Sequence, residues 1–291
     1  MIRTFGTVFA ALAGLAFGSF LNVCLSRWPE GESVVKPRSH CRNCGHVLAW
    51  WENVPLLSWL VLRGSCRKCN AWIGWRHPLV EAAVGGLWAS CWYRFAEDAV
   101  FIGSTRELLA AGSKVAGFAV FFWLLVGLAA LDAEHLWLPN AITLPGIALG
   151  VVFTVLNGYA SAGAETQSSP LFLLLNTAFS IVAAAGLILL IRWTYKLVRG
   201  HEGMGLGDAK LMAMLAAWLG LPGALLAFAL GVMLGAVAAV VLLAVPTARR
   251  GPQPWALTRL PLGTFLCIGG VVSALWGPQV IAAYLRWMGI S

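Results

Sequence analysis

Hydrophobic residues in this chain come in long blocks rather than in alternation. Eight apolar runs lie at roughly 4–26, 79–95, 112–131, 141–158, 171–192, 208–221, 223–246 and 262–285. A helix rises about 1.5 Å per residue, so about 20 apolar residues cross the hydrocarbon core of a bilayer. The pattern predicts an all-α polytopic membrane protein of about eight transmembrane helices. Only Gly220, Leu221, Pro222 and Gly223 part the sixth run from the seventh, which predicts a tight helical hairpin. The first run passes directly into a long basic loop and reads as an uncleaved span. Three regions follow: 1–26 as the first span, 27–78 as a cytoplasmic four-cysteine domain, and 79–291 as a seven-helix membrane domain.

Composition agrees with the pattern. Of 291 residues, 59% are hydrophobic and 11% charged, with mean hydropathy +0.79; a soluble domain carries about 25% charged residues. The net charge of +8 would fit a nucleic-acid binder if it formed one patch, but it is split among particular loops. Arg27, Lys36, Arg38, Arg42, Arg63, Arg67, Lys68 and Arg76 fall between the first two spans. Arg192, Lys196, Arg199 and Lys210 surround the fifth-to-sixth loop, and Arg249, Arg250 and Arg259 precede the eighth span. The loop from Asn157 to Pro170 has no Lys or Arg. Basic loops stay in the cytoplasm, so both termini lie outside, and the expected partner is the lipid bilayer, not nucleic acid.

That topology makes a test of two aspartates. Asp132 ends the third span, which runs inward; Asp208 opens the sixth, which starts inside. They are far apart in sequence yet belong to the same membrane face. Asp208 lies in Gly205-Leu206-Gly207-Asp208, within His201-Glu202-Gly203-Met204-Gly205-Leu206-Gly207-Asp208-Ala209-Lys210. Gly205 and Gly207 have no side chains, so an extended substrate backbone can approach the carboxylate. A plain helix N-terminus would show the same Gly-rich turn and first-turn Asp, and Asp132 read alone is a headgroup-level polar residue. Together the two form a pair able to share one proton, one acting as general base toward water and the other as acid toward a peptide carbonyl. A proton relay in a transporter uses the same groups, so the carboxylates alone leave both readings open.

The loop between the first two spans carries Cys41-Arg42-Asn43-Cys44 and Cys66-Arg67-Lys68-Cys69. Paired Cys-x-x-Cys knuckles at this spacing predict a four-thiolate zinc site, structural because no coordination position stays open. On a reducing face disulfides are disfavoured, and so small a loop needs a staple. Cys24, Cys91 and Cys267 lie in spans as small apolar residues. Glu81, just inside the second span, is either a headgroup-level carboxylate or one that meets an Arg or a cationic substrate group. Lys210 either acts on the Asp208 charge or snorkels to anionic lipid.

These residues resemble the prepilin peptidases, the type IV leader peptidase family of aspartic membrane proteases, nearly end to end. The resemblance is carried by Gly18-Ser19-Phe20-Leu21-Asn22-Val23, Pro37-Arg38-Ser39-His40-Cys41 through Cys44, and Glu52-Asn53-Val54-Pro55-Leu56-Leu57-Ser58-Trp59-Leu60. Arg63-Gly64-Ser65-Cys66 through Cys69, His77-Pro78-Leu79-Val80-Glu81, the two aspartate motifs and Leu260-Pro261-Leu262-Gly263 continue it in order. The resemblance implies that Asp132 and Asp208 are the catalytic aspartates. It also implies an inner-membrane enzyme that cuts the basic leader from prepilins or pseudopilins, after a glycine, at the cytoplasmic face. N-methylation of the new amine with S-adenosylmethionine is implied as well; no Gly-rich nucleotide fingerprint locates its site. Many relatives have Leu-Pro-Asp where this chain has Leu138-Pro139-Asn140, and Asn140 reads as a cap for the fourth span. A proton-coupled transporter and a membrane-tethered zinc docking module stand as rivals.

Overall fold

A computed structural model describes residues 2–96, 105–161, 169–201, 204–244 and 260–289. Glu202, Gly203, Arg249, Arg250 and Arg259, part of the motif and charge readings above, lie outside the described residues, as does most of the loop between Asn157 and Pro170. Among the described residues the elements are helices α1 (Ile2–Arg27), α2 (Leu57–Val61), α3 (Arg76–Phe95), α4 (Thr105–His135), α5 (Asn140–Ser161), α6 (Pro170–Arg199), α7 (Leu206–Ala244) and α8 (Leu262–Trp287). Two isolated bridges, His40–Val47 and Ser65–Trp72, are the β pairings there.

Each of the eight apolar runs is helical over its described residues. Among the described residues, six helices are long and apolar enough to cross a membrane, in α1, α4, α5, α6, α7 and α8. The helix α3 is not among them; its 20 residues include Arg76, Glu81 and Arg94. The expected hairpin between the sixth and seventh runs falls inside α7, which breaks at Gly220 (φ 67, ψ 175) just before Pro222. Only glycine takes that conformation readily. Inside a bilayer the carbonyls near such a break still need donors. Thr154 Oγ1 supplies Ala217 O at 2.7 Å, and Ser273 Oγ supplies Gly223 O at 2.8 Å.

The helices also outrun their apolar blocks. The chain stays helical from Ser169, whose side chain caps Phe172 N at 3.2 Å, to Gly200, which closes α6 in a left-handed turn (φ 75). Arg192, Lys196 and Arg199 therefore sit on a helix that continues past its apolar run, not in a loop. Long basic side chains reach for polar surroundings while the backbone keeps its hydrogen bonds.

By its contacts the chain divides into two compact units, Met1–Gly127 and Leu128–Ser291, so that α4 runs through the boundary. In the first, α1 packs on α3. A Cβ at Gly14 would lie 2.9 Å from Gly85 Cα, and one at Gly18 would lie 2.8 Å from Glu81 Cα. Small residues at this i, i+4 spacing let membrane helices approach backbone to backbone. In the second unit, α7 packs on α8, α6 and α5. Its first half, Leu211 to Ala217, is buried all round.

Candidate active site

The second unit brings the carboxylate sites onto three helix ends. Asp132 lies in the last turn of α4. Leu136 N closes that turn on Asp132 O at 2.9 Å, and Leu136 then turns the chain with φ 51, so the helix stops before Pro139. The Asp132 side chain is buried. Its Oδ2 accepts from Thr264 N at 2.7 Å and lies 3.2 Å from Thr264 Oγ1, at the first turn of α8. The same hydroxyl is 3.0 Å from Ala129 O. Both contacts on Thr264 hold Oδ2 of the carboxylate in place.

Asp208 is the third residue of α7. Its Oδ2 accepts from Gly205 N at 3.2 Å, the reach-back of a residue at the third helical position to the cap amide. The plain helix-start reading was thus correct about the backbone. Leu138 brings the two sites together, since it packs against Gly207, next to Asp208, and against Gly263, next to the Asp132 carboxylate. Cys267, which the sequence left as small apolar filling, is buried one turn along α8 from Gly263.

The glycines divide their work. A Cβ on Gly207 would lie 3.1 Å from Leu138 Cβ, and one on Gly263 would lie 2.9 Å from Asp132 Oδ2 and 3.0 Å from Leu138 Cδ1. Leu138 is therefore wedged between the starts of α7 and α8, and the bare side of Gly207 faces the chain's own Leu138. Gly205 is exposed, and the nearest atoms to a Cβ there are Asp208 Oδ2 at 3.4 Å and Gly207 N at 3.8 Å. Its open side is the one available to an approaching backbone.

Two neighbouring expectations change. Asn140 is the first residue of α5, and its Oδ1 accepts from Lys210 Nζ at 2.6 Å instead of capping its own helix. The capping acceptor is Pro139 O, which takes the amides of Ile142 and Thr143, each at 3.1 Å. Lys210 thereby joins the start of α5 to the start of α7 through an amide. Thr264 and Leu138 were missed from the sequence. The available signal was a hydroxyl directly after the Pro-x-Gly stretch, at the mouth of the last span.

In the first unit the four cysteines converge as expected. Their Sγ atoms all lie within 4.8 Å of one another, with Cys41–Cys69 at 3.8 Å and Cys44–Cys66 at 3.9 Å. Zinc bound at about 2.3 Å by four thiolates has tetrahedral edges of about 3.8 Å, so the cluster can hold this ion. Each knuckle repeats the same backbone device. Gly45 N bonds Cys41 O and Asn70 N bonds Cys66 O, both at 2.9 Å, with Gly45 (φ 70) and Asn70 (φ 54) in the left-handed turn. The Ala71 N–H, followed by the Asn43 amide, brings the Cys69 thiol down to about 6, toward the thiolate that binds metal. Three tryptophans of this region, Trp59 and the exposed Trp72 and Trp75, pack on one another with ring centroids 4.6–5.9 Å apart. In the same loop Glu52 is buried. The Ala49 N–H at 2.7 Å and His46 at 3.2 Å hold its carboxyl below the usual carboxylate range.

Glu81, for which the sequence left a headgroup position, an Arg and a cationic substrate group open, meets a backbone amide. Buried on α3, it accepts from Leu56 N at 2.8 Å, with Ser19 as a second partner. Leu56 carries an unfavourable positive φ of 59, and a buried carboxylate on its amide helps hold it there. Glu81 thus ties the cysteine loop to the α1–α3 pair.

Residues 12–95 match the model of the bacterial peptidase A24 N-terminal domain, and residues 119–240 match that of the type IV leader peptidase family. Three similar proteins each bear the name prepilin leader peptidase/N-methyltransferase. That of Stutzerimonas stutzeri is 33% identical, over 96% of this chain and 93% of its own length. That of Pseudomonas aeruginosa is 34% identical over the same shares, and that of Myxococcus xanthus is 39% identical over 86% and 67%. No solved structure matches the chain. These matches give the proton-coupled transporter no support. With two aspartates at adjoining helix ends, a four-thiolate loop and relatives matched nearly end to end, the chain belongs to the type IV leader peptidase family.

Proposed function

We propose that this protein is a membrane aspartic endopeptidase that removes the basic leader from prepilins or pseudopilins and N-methylates the amine it exposes. The observation that carries the peptidase half is that Leu138 packs against both Gly207, next to Asp208, and Gly263, next to the Asp132 carboxylate, with one aspartate pinned by Thr264 and the other by Gly205. One aspartate takes a proton from water as the water attacks the scissile carbonyl. The other, protonated, donates to that carbonyl oxygen; the first then passes the proton it took from water to the leaving amine while the second takes one back from the gem-diol, so no covalent enzyme intermediate forms. The open side of Gly205 gives the extended scissile segment access to Asp208, while the substrate's own apolar helix lies alongside in the bilayer. The positive-inside pattern supports a bacterial inner-membrane protein with this chemistry at the cytoplasmic face.

Cys41, Cys44, Cys66 and Cys69 bind a structural zinc ion in this reading. S-adenosylmethionine supplies a methyl group from its sulfonium, which leaves as a neutral thioether once the amine, its proton shed to water, takes the carbon. The experiment is cleavage of a leader-bearing prepilin by reconstituted protein with Asp132→Asn or Asp208→Asn. Each variant loses cleavage by at least a hundredfold, in the range seen for lost acid–base groups, with membrane insertion intact. Retained cutting in either variant rejects the pair.

A further inference from the structure

The first unit holds a cavity that the aspartate chemistry leaves unused. It measures about 140 Å³ and draws its walls from stretches that stood out in the sequence but received no role. Ser19 and Asn22 come from the first motif of α1, Asn53 from the stretch after the first cysteine knuckle, and His77 from the start of α3. Charged side chains in the lining are Arg27, Glu32 and Arg42, with His40 beside them. Four separate segments thus deliver polar side chains to one place.

Asn22 is the informative residue. It is 3% exposed, and its Nδ2 donates to His77 O at 3.0 Å. That bond fixes which way the amide faces, and the buried Oδ1 has no hydrogen-bond partner. Buried acceptors are seldom left without a donor, so the site is built for a ligand that brings one. A cavity near 150 Å³ accommodates a group of about benzene's size, which suits an amino-acid head or a chain terminus and excludes a whole nucleoside.

We propose that this cavity seats a primary ammonium group of the methyl-transfer reaction, with Asn22 Oδ1 as its acceptor. The inference rests on the N-methylation reading above. An ammonium brings three donors and no acceptor, matching an orphaned amide oxygen, and the Glu32 carboxylate in the same lining carries the opposite charge. Two sources carry such a group: the methionyl end of S-adenosylmethionine and the new N-terminal amine of a cleaved substrate.

The test uses the full chain in lipid nanodiscs, with two probes titrated separately: S-adenosylmethionine, and a peptide with the free N-terminus of processed pilin. Asn22→Leu replaces the amide by an apolar group of similar size. Asn22→Asp keeps the acceptor and loses the donor to His77 O, so it exposes any effect of that internal bond. Melting temperature and bound zinc serve as folding controls. The proposal expects Asn22→Leu to weaken one probe by tenfold or more and Asn22→Asp to hold it within about threefold, a tenfold change being a clear affinity step. The probe that weakens identifies the source. Unchanged affinity for both probes in folded Asn22→Leu overturns the proposal and assigns the cavity to water. Equal weakening in both variants overturns it too, because the donor bond is then what matters. If the wild type cleaves prepilin but neither binds S-adenosylmethionine nor methylates, the N-methylation reading has failed, and this inference falls with it.

Discussion

Thr264→Val removes one hydroxyl and nothing else of comparable size. The backbone donor from Thr264 N to Asp132 Oδ2, at 2.7 Å, survives, while the Oγ1 contacts to that oxygen at 3.2 Å and to Ala129 O at 3.0 Å are lost. A hydroxyl carries a single hydrogen, so the two acceptors share it, and neither contact is a full-strength bond. A hydrogen bond to a charged group contributes about 1.5–3 kcal/mol, and sharing puts this one near 1.5 kcal/mol. If Thr264 positions the reacting carboxylate, that amount appears in turnover as roughly a tenfold fall in kcat, since about 1.4 kcal/mol is a decade in rate. Because Thr264 contacts Asp132 and not the substrate in this arrangement, KM should change less than twofold, the signature of an interaction expressed in the transition state. The assay is steady-state cleavage of a prepilin in proteoliposomes, with the melting temperature of each variant measured in parallel. Thr264→Ser restores the hydroxyl and should recover most of the rate. A kcat for Thr264→Val within twofold of wild type, or a Ser variant as slow as Val, refutes the positioning role.

Removing the metal tests the cysteine loop. Purified protein should carry about one zinc per chain, and Cys66→Ser, which opens one corner of the tetrahedron, should lose it and lower the melting temperature of the protein. Zinc retained at full stoichiometry in that variant contradicts four-thiolate ligation. The Glu52 carboxyl gives a pH signature with a definite sign. Its folded pKa is depressed below the ordinary glutamate value of 4.5, chiefly by the Ala49 N–H, so its stabilisation is present above the unfolded value and is lost as pH falls through the folded one. Thermal melts should therefore separate wild type from Glu52→Gln at pH 6 and converge below pH 4; a gap that stays constant over this range removes the ionised carboxylate from the explanation.

What could be read from the sequence follows from the range of the forces involved. The spans were legible because a bilayer imposes a length and a composition on each helix, and the break at Gly220 was legible because a glycine and a proline stand together there. Helix ends were less so. Arg192, Lys196 and Arg199 end an apolar run, but they are good helix formers, and α6 continues through them to Gly200. Asp132 and Asp208 could be placed on one face because charge in the loops fixes the direction of every crossing. Their immediate partners could not be found this way, since Thr264 reaches Asp132 across 132 positions and no local pattern encodes that approach.

The same distinction explains why the glycines were only half understood. A missing side chain announces that something comes close without saying what does. At Gly205 the space is open, consistent with a visiting backbone, whereas at Gly207 and Gly263 it is filled by Leu138 and by the Asp132 carboxylate. A methyl group at Gly263 would sit 2.9 Å from Asp132 Oδ2 and 3.0 Å from its Cγ, inside van der Waals contact, so the carboxylate would have to leave the donors on Thr264. Helix packing and the placement of Asp132 are therefore set by one residue there: the start of α8 supplies the amide and hydroxyl that hold Asp132 only because the residue before them has no side chain. A shared-proton pair needs both carboxyls placed to within a few tenths of an ångström, and in this fold that placement rests on Gly263, Thr264 and Leu138 as much as on the aspartates themselves.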